Sequence, residues 1–482
     1  MLRPWNAQLW LEHTPGRSLH ARLVNQIVRD IQARRLLPGS SMPGSRALAS
    51  QLGVNRKTVQ LVYEELEAQG WLYSQPRRGT FVAAVLPEHG LSEQDQALVL
   101  DNSRKGRPAR GLATRASHGA QHTGVVHRHT NDGTPDVRLL PFEPLSRAYR
   151  RALLRAIRLD YLDYGDPRGT PELRQAILGM LAMDRFMPVV PEEICVVRGS
   201  QMGIFFSARA LDPAKGVIVV EALCYPPARA AFASTGFEVV ACPIDEHGLD
   251  TTALERLLSR YPVAAVFTTP HHQYPTTVTL SMERRLALLQ LSRQHRFAVI
   301  EDDYDHEFHY ESRPIPPLAS LPGSENVIHI GSLSKVFAPG LRLGYLVADS
   351  AFVDRVAEEI LLVDRQGNAV TELALADLME GGEVRKHIRK ARRQYRQRRD
   401  CAAEGLTRQF GGQIAFALPA GGMALWVNVG SLVTSTAIPR LQAAGFHAAA
   451  GADGMVHIRF GFGALSEAEI SQAIAALARE IT

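Results

Sequence analysis

From residue 178 onward the chain alternates helical patterns with short apolar strands, and no other feature restricts its fold so strongly. The strands read as Gly216-Val-Ile-Val-Val-Glu, Phe237-Glu-Val-Val-Ala, Ala264-Ala-Val-Phe-Thr-Thr, Phe297-Ala-Val-Ile-Glu-Asp, Asn326-Val-Ile-His-Ile-Gly and Leu343-Gly-Tyr-Leu-Val. A continuously apolar strand needs cover on both faces, so the pattern predicts an α/β layer around a mostly parallel sheet. Such sheets bind ligands beyond the carboxyl ends of their strands. Polar residues collect at those ends here.

The strand Phe297–Asp302 runs into Glu301-Asp-Asp-Tyr-Asp. A carboxylate at that edge can pair with a protonated pyridine nitrogen and so hold pyridoxal phosphate (PLP) as an electron sink. Tyr304, two residues past Asp302, can donate to the ring hydroxyl. The strand Asn326–Gly331 runs into Ser332-Leu-Ser-Lys335 and, seven residues later, Arg342. A lysine amine condenses with the PLP aldehyde, while the hydroxyls and a guanidinium suit its phosphate. Gly199-Ser-Gln precedes a predicted helix, Met202 to Leu211, whose free amides would take further phosphate oxygens. Taken singly, each feature has a plainer reading: a lysine after a strand is usually on the surface, an acidic pair is often a loop, and the aromatic of Cys224-Tyr-Pro is usually packing. Five such features in chain order, each at a strand end, favour the cofactor.

The front of the chain differs in charge. Residues 1–83 hold 11 Lys/Arg and 5 Asp/Glu, a balance of +6; residues 84–130 balance at +2 and the remainder at −3. The positive field therefore points to a polyanion partner for the front end alone. Ser18 caps a predicted helix through Leu19, Leu23, Val24, Ile27, Val28 and Ile31, with the apolar residues on one face. After the turn Pro38-Gly-Ser-Ser-Met-Pro-Gly, Ser45 caps a short helix, Arg46 to Leu52, offering Ala47, Leu48 and Leu52 to a core; Gly53 ends it. Asn55 caps a third helix with Val59, Val62, Tyr63 and Leu66 inward, ending at Gly70. In a helix-turn-helix, the start of the second of the paired helices meets base edges, and Asn55, Arg56, Lys57 and Thr58 crowd that start. Trp71-Leu-Tyr and Ser74-Gln-Pro-Arg-Arg-Gly-Thr-Phe-Val read as a hairpin with Arg77 and Arg78 at its tip, a wing for the DNA backbone or minor groove. An ordinary three-helix domain with a solvated basic face is the plainer alternative.

A length of 482 residues points to two or three domains: residues 1–83, a polar tether over 84–130, and 131–482. The tether carries His118, His122, His127 and His129 without regular ligand spacing, so no metal is expected there. Cys195, Cys224, Cys242 and Cys401 form no C-x-x-C pair and are expected as reduced core thiols. Apolar residues at 45% and charged residues at 21% suit a water-soluble protein. No apolar run suits a membrane span. Met1-Leu-Arg-Pro-Trp-Asn lacks a signal-peptide core, so a cytoplasmic location is expected. The helix Glu383–Asp400 holds nine Lys/Arg. A solvated face is the simpler expectation there, and contact with DNA the alternative.

The front segment resembles the winged helix-turn-helix of the GntR superfamily. The resemblance runs over Leu36-Leu-Pro-Gly-Ser-Ser-Met-Pro-Gly-Ser-Arg-Ala-Leu-Ala-Ser-Gln-Leu-Gly-Val-Asn-Arg-Lys-Thr-Val, Tyr63-Glu-Glu-Leu and Arg78-Gly-Thr-Phe-Val. It implies that Arg46, Arg56, Thr58 and the wing residue Gly79 lie at DNA, with Ser45, Asn55, Arg77, Arg78 and Thr80 beside them. Lys57 stands where an uncharged polar residue is more usual. The rest resembles fold-type I aminotransferases, and in wording the MocR branch of the GntR superfamily. The matching residues are Tyr164-Gly-Asp-Pro-Arg-Gly-Thr-Pro-Glu-Leu-Arg, Arg198-Gly-Ser-Gln-Met-Gly, Thr269-Pro-His-His-Gln-Tyr-Pro-Thr, Glu301-Asp-Asp-Tyr-Asp-His-Glu-Phe, Gly331-Ser-Leu-Ser-Lys and Ile458-Arg-Phe-Gly-Phe. This resemblance implies a PLP-dependent aminotransferase-like domain with a smaller C-terminal α+β part. It implies Lys335 as the Schiff-base lysine, Asp302 on the pyridine nitrogen, Tyr304 near the ring oxygen and Tyr225 stacked on the ring. Ser200, Gln201, Ser332, Ser334 and Arg342 would surround the phosphate, Tyr164 would reach the partner subunit's site, and Arg459 would grip an effector carboxylate. A head-to-tail homodimer is implied as well. Pro227 stands where GABA-responsive members carry a basic residue, and Thr277 where glycine is usual, so GABA is not carried over as the effector.

The expected function is a PLP-dependent regulator of promoter DNA that senses an amino compound, or PLP itself, through aldimine chemistry at Lys335. One alternative is a sensor of PLP level alone, since family members regulate vitamin B6 genes. The other is a true aminotransferase with an appended DNA-binding domain, and slow transamination is compatible with these residues.

Overall fold

The computed structural model describes residues 18–76, 78–87, 133–310, 315–333, 335–451 and 453–481. The chain divides into two compact units, Met1–Gln121 and His122–Thr482.

In the first unit, α1 (Leu19–Gln32), α2 (Ser45–Leu52) and α3 (Arg56–Ala68) precede the antiparallel hairpin β1 (Leu72–Gln75) and β2 (Gly79–Val82). Leu23, Ile27, Leu48, Val59, Val62, Leu66 and Val82 bury one continuous core, which also takes in Leu86. Ser18 Oγ accepts from the Ala21 amide at 3.3 Å, and Asn55 Oδ1 accepts from the Lys57 amide at 2.8 Å, satisfying amides that a helix start leaves open. Gly53 ends α2 in the left-handed region, with φ 64. Two local expectations are corrected. Gly44, not Ser45, is the cap of α2, so Ser45 is the first helical residue and makes no cap bond. Ala49 rather than Ala47 is the alanine that α2 buries beside Leu48, because it lies on the same side of the helix as Val59 and Val62 of α3.

The second unit is built on a seven-stranded sheet. Its strands are β3 (Ile194–Val197), β4 (Val217–Glu221), β5 (Val239–Cys242), β8 (Val263–Thr268), β9 (Ala298–Asp303), β10 (Val327–Ser332) and β11 (Gly344–Val347). A short hairpin, β6 (Ile244–Asp245) with β7 (Gly248–Leu249), stands outside it. The order is β3-β11-β10-β9-β8-β4-β5, and β11 alone runs antiparallel to its neighbours. Alternation sorts the strand residues between faces. Ile218, Val220, Ile300 and Ile330 pack with the helices Ser200–Ala210, Pro226–Ser234 and Ser350–Val363. Val217, Val219, Val266 and Val299 pack with Leu254, Leu288 and Leu289 on the other side.

A smaller part follows, with β12 (Ala424–Asn428), β13 (His447–Ala450) and β14 (Val456–Gly461) in the antiparallel order β12-β14-β13. The helices Glu383–Phe410 and Glu467–Ile481 cover it, around Leu406, Leu425, Ile458, Phe460 and Leu477. The basic helix is therefore longer than expected, and its face is only partly solvated. Arg398 and Arg399 are buried; Arg398 Nη2 pairs with Asp136 Oδ2 at 2.8 Å and Arg399 Nη1 donates to the Pro419 carbonyl oxygen at 2.7 Å. Cys195 and Cys242 are buried, and Cys224 and Cys401 partly so. No helix of the described residues is long and apolar enough to cross a membrane.

Candidate functional site

Alternation along β9 separates two neighbouring carboxylates. Asp302 leaves on the side of Ile300, whereas Glu301 and Asp303 leave on the side of Val299. Asp302 is buried, and its Oδ1 has no hydrogen-bond partner among the described residues. Burial, helped by the charges of Asp303 and Asp305, pushes this carboxyl up to about 8, against the pull of Lys335. Glu301 is occupied elsewhere: it accepts from the Leu318 amide at 2.7 Å and pairs with His329 Nδ1 at 2.8 Å.

Lys335 follows the end of β10. Its Nζ donates to the Gly133 carbonyl oxygen at 3.0 Å and lies 5.9 Å from the centre of the Tyr304 ring. Tyr304 Oη donates to the His272 carbonyl oxygen at 2.8 Å. Arg459, buried in β14, donates to the Pro275 carbonyl oxygen at 2.8 Å and comes within 3.5 Å of Tyr304 Oη. Its guanidinium carbon lies 4.8 Å from the centre of the Tyr274 ring, which meets Tyr225 edge-on at 5.2 Å. Lys335, Tyr304, Arg459 and Tyr225 are thus joined through a run of contacts in which Tyr274 is a link, with Asp302 in electrostatic reach of Lys335.

A second corner forms at the start of the helix Ser200–Ala210. The helix begins two residues earlier than expected, so Ser200 and Gln201 lie in its first turn. Arg342 Nη2 donates to the Arg198 carbonyl oxygen at 2.9 Å. A Cβ on Gly199 (φ 76) would stand 3.1 Å from that nitrogen, so glycine admits both the turn and the close guanidinium. A Cβ on Gly344 would stand 3.0 Å from Gly199 Cα, and Gly344 pairs with Ser332 across the sheet. The free amides of the helix start and the Arg342 guanidinium therefore stand together, with the backbone of Ser332 one strand away, an arrangement suited to an anion. Gln201 Nε2 donates to the Pro227 carbonyl oxygen at 3.1 Å, and its Oε1 is buried without a partner among the described residues. Tyr164 stands apart: it is 75% exposed, with the Arg365 guanidinium 4.6 Å from its ring centre. Ser334, Arg77 and the four tether histidines lie outside the described residues.

Sequence reasoning gave no role to Tyr274 or Gly133. Tyr274 sits inside a stretch that was singled out, but contact between distant segments leaves no period to read; Gly133 acts only through its carbonyl, which any residue carries. Thr277 has φ 66, in the left-handed region, which accounts for glycine being usual there.

In the front unit, Arg46, Asn55, Arg56, Lys57, Arg78 and Gly79 are exposed, and Ser45, Thr58 and Thr80 partly so. Arg56 Nε lies 3.5 Å from Ser45 Oγ, joining the starts of α2 and α3. Gly79 (φ 109) opens β2 at the wing, and Thr80 Oγ1 is 3.0 Å from Ser74 Oγ.

Residues 19–82 match the family described as Bacterial regulatory proteins, gntR family, and residues 140–477 match Aminotransferase class I and II. The chain is 33% identical to the HTH-type transcriptional regulator TauR of Rhodobacter capsulatus, over 89% of this chain and 88% of that protein. It is 30% identical to the HTH-type pyridoxine biosynthesis transcriptional regulator PdxR of Corynebacterium glutamicum, over 82% and 80%. Among solved structures, the kynurenine aminotransferase of Pyrococcus horikoshii aligns with TM-score 0.68 and 27% identity, covering 80% of this chain and 98% of that one. Fold and relatives together imply PLP as cofactor, and the front domain implies DNA. The chain belongs to the HTH-type transcriptional regulators in which a gntR-family DNA-binding domain precedes a class I and II aminotransferase domain.

Proposed function

We propose that this chain is a PLP-dependent transcription regulator whose large unit senses an amino compound, or PLP itself, and thereby alters the hold of the front unit on promoter DNA. The observation that carries the reading is the buried Asp302 Oδ1, left without a partner within electrostatic reach of Lys335. A buried, unsatisfied carboxylate is costly, and a protonated pyridine nitrogen is the partner it lacks. When bound, PLP supplies a carbonyl carbon open to attack by a primary amine and a ring that withdraws electrons.

The chain's own groups support that chemistry. Lys335 Nζ is the internal amine, and Gly133 holds its proton in the state described. Tyr304, fixed by the His272 carbonyl, would present its hydroxyl to the ring oxygen. Ser200, Gln201, Ser332, Ser334 and Arg342 would take the phosphate, and Tyr225 would cover the ring. Arg459, buried and oriented by Pro275, suits an effector carboxylate. Pro227 supplies no cation, so GABA is not carried over as the effector. A ligand shifts the regulator only through unequal affinity for its two states.

We also propose a head-to-tail homodimer in which Tyr164 completes the site of the partner subunit. Leu154, Ile157 and Leu162 are exposed in the same region of sequence as Tyr164, an apolar surface of the kind association covers. The domain limits 1–83, 84–130 and 131–482 form part of the same proposal.

Borohydride reduction of PLP-treated protein, followed by peptide mapping, tests the cofactor reading. A phosphopyridoxyl adduct on the Lys335 peptide, absent in Lys335→Ala, is expected; no adduct at 335 overturns it. Promoter affinity measured with PLP, with and without amines, then separates an amine sensor from a PLP-level sensor. Sustained turnover with amino donors and 2-oxo acids, without specific DNA binding, would favour an enzyme.

A further inference from the structure

Behind Asp302, on the opposite face of β9, three side chains converge, each with one buried polar atom left without a hydrogen-bond partner among the described residues. His271 comes from the segment after β8, Asp303 is the last residue of β9, and His306 follows three residues later; all are buried to 5% exposure or less. One nitrogen of each imidazole and one oxygen of the carboxylate lie within 4.8 Å of one another. The two imidazole rings are 4.4 Å apart and tilted by 52°. His271 Nδ1 is 3.9 Å from Asp303 Oδ1, too far for a hydrogen bond. His306 Nδ1 is 3.2 Å from Asp303 Oδ2, an ion-pair contact with the oxygen that Arg185 also engages. His271 Nδ1, Asp303 Oδ1 and His306 Nδ1 are all buried without a hydrogen-bond partner among the described residues. Buried polar atoms are nearly always satisfied, so three orphans with one focus call for an occupant.

The donor set selects its class. Two imidazoles and a carboxylate suit a divalent first-row transition ion such as zinc. The single carboxylate is too poor in oxygen for calcium or magnesium, and no thiolate is present to select a softer ion. A supporting layer is in place as well. Arg185, fully buried, binds Asp303 Oδ2 at 2.8 Å and Glu307 Oε1 at 2.7 Å, which leaves Asp303 Oδ1, the oxygen nearer His271, open. Its positive charge lowers the affinity of the site for a cation, yet it engages the other carboxylate oxygen and so leaves a ligand atom open. Access is provided by a cavity of about 770 Å³ that His306, Glu307, Arg185 and His309 help to line.

We propose that His271, Asp303 and His306 bind one zinc-class divalent ion, with water completing its coordination, at a site separate from the Lys335 site. The ion ties the segment after β8 to the end of β9. That segment supplies the His272 and Pro275 carbonyl oxygens that hold Tyr304 and Arg459, so the ion acts as a brace for both residues. The proposal requires nothing of PLP binding, and either reading can fail alone.

Full-length protein stripped by a chelator is titrated with Zn²⁺ against a chromophoric competitor, and with Co²⁺ as a visible-absorbing substitute. The wild type is expected to hold one ion per chain more tightly than His271→Ser or His306→Ser, by at least roughly 100-fold. Its Co²⁺ spectrum should show bands that both variants lose, and Zn²⁺ should raise the thermal midpoint of the wild type alone. Tether histidines are common to every chain and cancel in the comparison. Circular dichroism checks folding, and His306→Gln, closer in volume, replaces any serine variant that fails it. Equal uptake by wild type and variants, or no uptake by the wild type, overturns the proposal.

Discussion

Asp302 carries a conflict between stability and binding. An ordinary aspartate titrates near 3.8; burial and the neighbouring acids push this one up to about 8. Between those values the unfolded chain is ionised while the folded chain keeps the proton, so stability falls as pH rises through the window and levels off above it. The shift corresponds to at most roughly 6 kcal/mol, less after local relaxation. In protein free of PLP and metal, Asp302→Asn should therefore melt higher than wild type at pH 8.5, with the gap closing toward pH 4. The same variant should bind PLP more weakly, by fluorescence titration, because the amide carries no negative charge to pair with a protonated ring nitrogen. A lower melting point at pH 8.5 would contradict the assigned burial cost. Asp302, Tyr304 and Lys335 were legible because each stands in or just past the end of an apolar strand. The orphaned state of Asp302 Oδ1 was not, since it depends on what fails to approach.

The start of α3 shows how a short element serves both folding and recognition. Asn55→Ala removes a cap bond and should cost about 1 kcal/mol in denaturant unfolding. Arg56→Ala and Arg78→Ala sit on exposed residues. They should leave stability nearly unchanged, weaken promoter binding, and each reduce the salt slope of log affinity by about 1; an unchanged slope would remove that arginine from the phosphate contacts. In the large unit, Gly331 begins the Gly-Ser-Leu-Ser-Lys run, and a Cβ there would lie 2.0 Å from Tyr345 Cζ. Gly331→Ala should lower stability by about 1–3 kcal/mol or more, because backbone or ring must shift; a near-neutral melt would show that the ring moves freely. The long basic helix is the counter-example. Its charge suggested a solvated face, but Arg398 and Arg399 run into the interior and find Asp136 and a carbonyl there.

Two compact units with separate cores should melt separately. Calorimetry is expected to resolve two transitions. PLP at 100 times its Kd should stabilise the larger unit by about 2.7 kcal/mol and leave the smaller one where it is. A single transition that moves as a whole would show that the units unfold together. Association is checked by light scattering: Leu154→Glu with Ile157→Glu, both on exposed apolar positions, should yield monomers with weakened PLP binding if Tyr164 completes the partner's site. Retained dimers with full affinity would remove this surface from the interface.

What the sequence determined by itself was local or periodic. Six of the seven strands of the sheet (β3, Ile194–Val197, was not read), the inward faces of α1 and α3, the glycine at position 53 and the polar strand ends follow from apolar runs, periodicity, capping and turn chemistry, each confined to a few neighbouring residues. Tertiary structure decided everything that brings distant segments together: Gly133 against Lys335, Tyr274 between Tyr225 and Arg459, the buried arginines of the long helix, and the meeting of His271 with Asp303 and His306. Alternation placed Asp302 and Asp303 on opposite faces, a fact the sequence contained. Which groups stand across from each carboxylate is set by packing between elements, and no pattern along one chain segment records it.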